Sequence, residues 1–144
     1  MKRIAFMTLV AGLAGLAAAS ACRADCIDDA AAYQHISTQL VRAIAQHESG
    51  MRANAVNVNP DGSEDIGLMQ INSSWLPTLA RFGIGRSQLF DACVNAYVGT
   101  WILASNIRHF GPTWKAVGAY NAASSAKQLV YANAIYRRLQ REAH

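Results

Sequence analysis

The chain has 144 residues, 52% apolar, 15% charged and 8% aromatic, which is the content of one globular domain and excludes a charge-rich disordered chain. Ten Gly and three Pro rule out a collagen-like or Pro/Gly low-complexity chain, since they form no period and no cluster. The net charge is +4, but Lys2, Arg3 and Arg23 lie at the extreme N-terminus, and the remainder carries 10 basic against 9 acidic side chains, a balance of +1. So slight an excess argues against a phosphate-binding face, and no nucleic-acid partner is expected.

The first elements form an export signal. Lys2 and Arg3 are followed by an apolar run from Ile4, and Ala19-Ser20-Ala21 supplies the small side chains that a signal peptidase accepts. A signal peptide is expected over 1–24 and the domain proper over 25–144, with no stable membrane span once the signal is removed. Cleavage after Ala21 would leave Cys22 first, and cleavage after Ala24 would leave Asp25 first. The alternative is a retained anchor, for which the Ala-rich run is of borderline length. Export places the chain in an oxidising compartment, most simply the periplasm, where Cys26 and Cys93 are expected to pair and to contribute about 4 kcal/mol through the long loop they close. Two buried thiols are the alternative. No Cys and His spacing suits a zinc site, and neither a metal nor an organic cofactor is expected.

Further along, Ser37-Thr38-Gln39 reads as a helix start; Leu40, Val41, Ile44 and Ala45 follow at helical intervals, and Gly50 ends the run. Two short strands around Asn59-Pro60-Asp61-Gly62, one with Val56 and Val58 and the other with Ile66 and Leu68, predict a small hairpin. A short helix over 73–82 contains Pro77 and stops at Gly83. A long one runs from Asp91 to Phe110 and closes at Gly111-Pro112, with Trp101 on its apolar stripe. Helices over 114–122 and 127–141 complete a mostly α-helical α+β domain with one β excursion. Arg137, Arg138 and Arg141 read as a solvated face of the last helix.

Glu48 is the anomaly in this pattern. It follows Leu40 and Ile44 at intervals of four, so a carboxyl group ends the stripe that faces the core. Desolvation there favours its neutral form and suits it to general-acid work; a solvated Glu on the last turn is the plain alternative. Asp65 stands on the returning arm of the hairpin, which can face the helix. A helix-borne acid opposite a hairpin-borne carboxylate is the arrangement that cleaves a glycosidic bond, the drier group donating a proton and the wetter one stabilising positive charge. A turn-capping Asp is the alternative for Asp65.

Three ordered motifs, His47-Glu48-Ser49-Gly50, Gly67-Leu68-Met69-Gln70-Ile71-Asn72 and Gly118-Ala119-Tyr120-Asn121-Ala122, resemble those of the soluble lytic transglycosylases, lysozyme-like enzymes that cut bacterial peptidoglycan. The resemblance covers about Cys26 to Arg138 and is closest to the small exported transglycosylases of type III secretion, conjugation and pilus systems. The stretch Asp61 to Ser73 also resembles the β-hairpin of animal C-type lysozymes, with Asp65 at the place of their second carboxylate.

The resemblance implies a lysozyme-like fold and cleavage between N-acetylmuramic acid and N-acetylglucosamine to give a 1,6-anhydro end, with Glu48 acting first as acid and then as base. Peptidoglycan glycan strands are the implied partner, together with components of an envelope-spanning apparatus. It also implies that Ser49, Met69, Gln70 and Asn72 meet the substrate, that the Tyr120 phenol points at Glu48, and that Asn121 holds an acetamido group. Plainer duties are open to each: a backbone-bonded Ser, a core Met, a turn Asn, a buried Tyr and a helix-end Asn. Asp65 departs from the single-acid pattern common in that family, which leaves a lysozyme-type hydrolase as a rival. A non-catalytic wall-binding scaffold is a second.

Overall fold

The computed structural model describes residues 18–142, so most of the expected signal peptide, residues 1–17, lies outside the described residues. The first element is α1 (Ala18–Tyr33), absent from the predicted set. Its stripe consists of Cys26, Ile27, Ala30 and Ala31, all buried. Small side chains give such a face little hydrophobic contrast, and the periodicity passes unseen. The helix crosses the expected domain start at residue 25 without a break.

The second helix, α2 (Thr38–Ser49), begins where Ser37 accepts a hydrogen bond from the Leu40 N–H and ends at Gly50 in the left-handed region, both as predicted. Ile44, Val41 and Ala45 are fully buried along it, and each large aliphatic side chain so covered is worth about 2 kcal/mol.

The β excursion has three antiparallel strands in the order β1 (Val56–Val58), β2 (Glu64–Ile66) and β3 (Ile71–Asn72), one more than predicted. Between β1 and β2, Gly62 N–H donates to the Asn59 carbonyl at 2.9 Å, with Pro60 in the first central position of the turn. The second strand ends at Ile66, so Leu68 does not lie in a strand: Gly67 to Gln70 form a reverse turn that pairs Ile66 with Ile71. Gly67 has φ +79°, and a side chain there would strike Asn95 and the Leu89 carbonyl, so only glycine lets the turn sit against the helix behind it.

Residues 73–82 form a broken helix, with 3-10 turns at Ser73–Trp75 and Ala80–Phe82 flanking α3 (Leu76–Leu79), followed by a further 3-10 turn at Ser87–Phe90. The central α4 (Ala92–Phe110) is capped by Asp91, and α5 (Trp114–Asn121) and α6 (Ser125–Glu142) pack against each other at the far side. Their close approach runs through Gly118, where a side chain would collide with the Gln128 backbone. The Gln128 amide then holds the connecting loop by donating to the Ala122 and Ala123 carbonyls at 2.9 and 3.1 Å.

Cys26 on α1 and Cys93 on α4 form a disulfide across 67 positions of sequence. Trp101 is partly buried against the core, packed edge-on to Trp75. Arg137 and Arg141 are exposed, whereas Arg138 is half-buried. No helix among the described residues is long and apolar enough to cross a membrane.

Candidate active site

Asn95 decides where the hairpin sits. This carboxamide is fully buried on α4; its Nδ2 donates to the Ile66 and Leu89 carbonyls at 2.9 and 2.8 Å, and its Oδ1 accepts from the Met69 N–H at 2.7 Å. Two more side chains grip the same turn. Ser49 Oγ, at the end of α2, donates to the Leu68 carbonyl at 2.6 Å, and the Tyr120 hydroxyl on α5 donates to the Met69 carbonyl at 2.8 Å. Buried backbone groups left unpaired at the turn would cost about 1 to 3 kcal/mol each, and these three side chains satisfy them from three helices.

The hairpin so held faces the end of α2 and the α5–α6 junction across an open trough of about 750 Å³. Glu48, Asp65, Gln70, Asn72, Tyr120 and Asn121 all line it, joined by Trp75 from the broken helix and Lys127 from α6.

Glu48 is half-buried on the helical wall and accepts a short hydrogen bond from the Tyr131 hydroxyl on α6. Burial pushes its carboxyl up to about 7; the Tyr131 bond opposes the rise and the charge of Asp65 adds to it. The Tyr131 phenol is itself displaced upward by its own burial and by the neighbouring carboxylate, so it stays a donor.

Asp65 occupies the middle strand, opposite Asn72 in register. Its Oδ1 accepts from Asn72 Nδ2 at 2.8 Å and its Oδ2 from Asn59 Nδ2 at 3.0 Å, while both amides also reach Ser63 Oγ. Both carboxyl oxygens are thus taken up by amide N–H groups, which can only donate.

The expected site residues therefore divide. Ser49 and Met69 do not line the trough: Ser49 is buried between its own helix and the Leu68 carbonyl, and Met69 is fully buried in the core. Tyr120 borders the trough, but its hydroxyl is spent on Met69, and the phenol on Glu48 belongs to Tyr131. The imidazole of His47 packs edge-on to the Tyr131 ring at 5.3 Å, and burial with the nearby Arg138 charge lowers its pKa, so it is neutral at neutral pH. Gln70 is held in the trough wall with φ +52°, its amide donating to the Gly67 carbonyl at 3.0 Å.

Sequence reasoning missed Tyr131 and Asn59. Asn59 was legible only as a turn residue, and Tyr131 falls on the buried stripe of α6, where a tyrosine reads as core. No group of three or more His, Cys, Asp or Glu side chains among the described residues could hold a metal ion.

This geometry has relatives. The chain is 45% identical over 106 residues to the invasion protein IagB of Salmonella typhimurium, covering 73% of this chain and 66% of that one. It is 41% identical over 124 residues to protein IpgF of Shigella flexneri, covering 83% and 82%. Among solved structures, lytic transglycosylase Slt of Pseudomonas aeruginosa, an inactive E503Q mutant, superimposes with a TM-score of 0.65 at 19% identity over 80% of this chain and 23% of that one. That likeness gives the lysozyme-like fold. The family model of the transglycosylase SLT domain matches residues 25–136, from before the disulfide to the last helix, and the chain belongs to that family.

Proposed function

We propose that the protein is an exported peptidoglycan lytic transglycosylase that cuts the β-1,4 bond between N-acetylmuramic acid and N-acetylglucosamine. The observation that carries this reading is Glu48, kept neutral to about pH 7 by burial in the helical wall of an open trough and held by the Tyr131 hydroxyl. Family membership and the polar lining of the open trough support it.

The chemistry balances on one side chain. Glu48 gives its proton to the bridging oxygen as the C1–O bond breaks, and Asp65, ionised on the facing wall, stabilises the positive charge that grows at C1. The muramoyl C6 hydroxyl then attacks C1, and its proton returns to Glu48. The products are a free GlcNAc hydroxyl and a 1,6-anhydro ring, with the acid regenerated. An intramolecular nucleophile held near C1 requires no positioned water and gains the entropic advantage of proximity.

The pair Asp65 and Glu48 also favours a second reading, hydrolysis in the manner of a lysozyme. The mass of the released muropeptides decides between them: anhydro ends lack one water, and exclusively reducing ends would overturn transglycosylation. Abolition of wall clearing by Glu48→Gln in a folded protein is expected; undiminished clearing would remove Glu48 as the acid, and clearing by neither protein would favour a non-catalytic scaffold. We place its work in the periplasm, where it would open the wall for a secretion, conjugation or pilus apparatus; the Salmonella relative, an invasion protein by name, supports that setting.

A further inference from the structure

Beside the trough lies a second hollow of about 420 Å³, on the outer face of α6. Asn121 and Lys127 border both. It is lined by Tyr131, the residue that holds Glu48, together with Ala126, Val130, Ala134 and His47. Val130 is 71% exposed and the adjoining Leu129 63%, apolar side chains on a helix face turned to solvent among the described residues.

Charge divides the two sides of the trough. Asp61 and Asp65 line the hairpin wall, and Glu64 beside them is neutralised by Arg86 at 2.7 Å. Lys127 is the one cation among the residues that line the trough, and it makes no ion pair or hydrogen bond among the described residues. His47 is neutral near pH 7, so among the residues that line the hollow the fixed positive charge is that of Lys127, while Arg138 lies behind His47 and outside the lining.

A muramoyl residue cut at Glu48 carries a lactyl-linked peptide on C3, rich in alanine and bearing free carboxylates. A peptide on a sugar held in the trough meets one wall or the other, and on the α6 side the trough adjoins the hollow through Asn121 and Lys127. The hairpin side repels it, while the α6 side presents a cation followed by methyl groups. We infer that the hollow on α6 is a binding site for the acidic stem peptide of the substrate, with Lys127 meeting a carboxylate and Ala126, Val130 and Ala134 meeting its alanyl side chains. This rests on the reading of the trough as a peptidoglycan site. It makes the protein selective for peptide-bearing over bare glycan.

The test compares kcat/KM on peptide-bearing strands with that on strands stripped by an amidase, for wild type, Lys127→Glu and Val130→Asp. Wild type is expected to prefer peptide-bearing strands about tenfold, and both variants to lose at least about fivefold of that ratio. Amidation of the stem carboxylates should lower the wild-type ratio and leave that of Lys127→Glu unchanged. Equal ratios for all three proteins, or variants that lose activity on both substrates alike, would overturn the inference while the trough reading stands. A wild type that cleaves neither substrate would overturn the trough reading itself.

Discussion

The two walls of the trough present the same functional group in opposite settings. On the helical wall, Glu48 has one phenolic donor and an apolar surround, and its proton is held to about pH 7. On the hairpin wall, Asp65 has two amide donors, one to each oxygen. The same functional group is thus dried on one wall, where burial favours the neutral form of Glu48, and cradled by amide donors on the other.

Removing the proton from this contrast should have the largest effect. Glu48→Gln is expected to lower turnover on purified peptidoglycan by about a thousandfold or more with circular dichroism unchanged. The same variant tests the sign of the burial effect. Because the folded state raises Glu48 from 4.5 to about 7, it binds that proton more tightly than the unfolded chain, so wild-type stability falls as pH rises through that window. The midpoint of thermal unfolding of Glu48→Gln should therefore rise relative to wild type between pH 4.5 and 7 and level off above; a constant difference would contradict a neutral, buried Glu48.

Asp65→Asn comes next, with a loss of about a hundredfold in turnover if the carboxylate stabilises developing cation. Its charge also pushes Glu48 upward, so the alkaline fall in activity should move to lower pH in this variant. Tyr131→Phe should cost about tenfold and move that fall the other way, because the Tyr131 bond holds Glu48 down. Opposite shifts in the two pH–rate profiles are the signature of two walls acting on one proton. The smallest effect is expected from Asn72→Ala, a loss of a few-fold in turnover with Asn59 still holding Asp65.

The sequence disclosed some of this and concealed the rest for physical reasons. The limits of α2, the turn at Pro60 and the long α4 followed from caps and periodicity, which act over a few residues. The opposition of Glu48 and Asp65 was legible because each sits at the end or middle of a recognisable element. The partner of Glu48 was not: Tyr131 lies 83 positions away, and Tyr120, better marked by its motif, turns its hydroxyl to a backbone carbonyl. Ser49 and Met69 mislead for the same reason, since a motif records that residues belong together without saying whether they meet a ligand or each other. The helix α1 escaped because alanine fills its buried face.

The carboxamide of Asn95 never borders the trough, yet it is the latch that closes one jaw upon the other. Exchanged for leucine, a side chain of similar bulk, it would strand one N–H and two carbonyls in a dry interior, and the jaw bearing Asp65 would drift from the one bearing Glu48. The spacing that catalysis demands is thereby entrusted to a residue outside the trough lining, and a lesion there should silence the enzyme although both carboxyl side chains are still present.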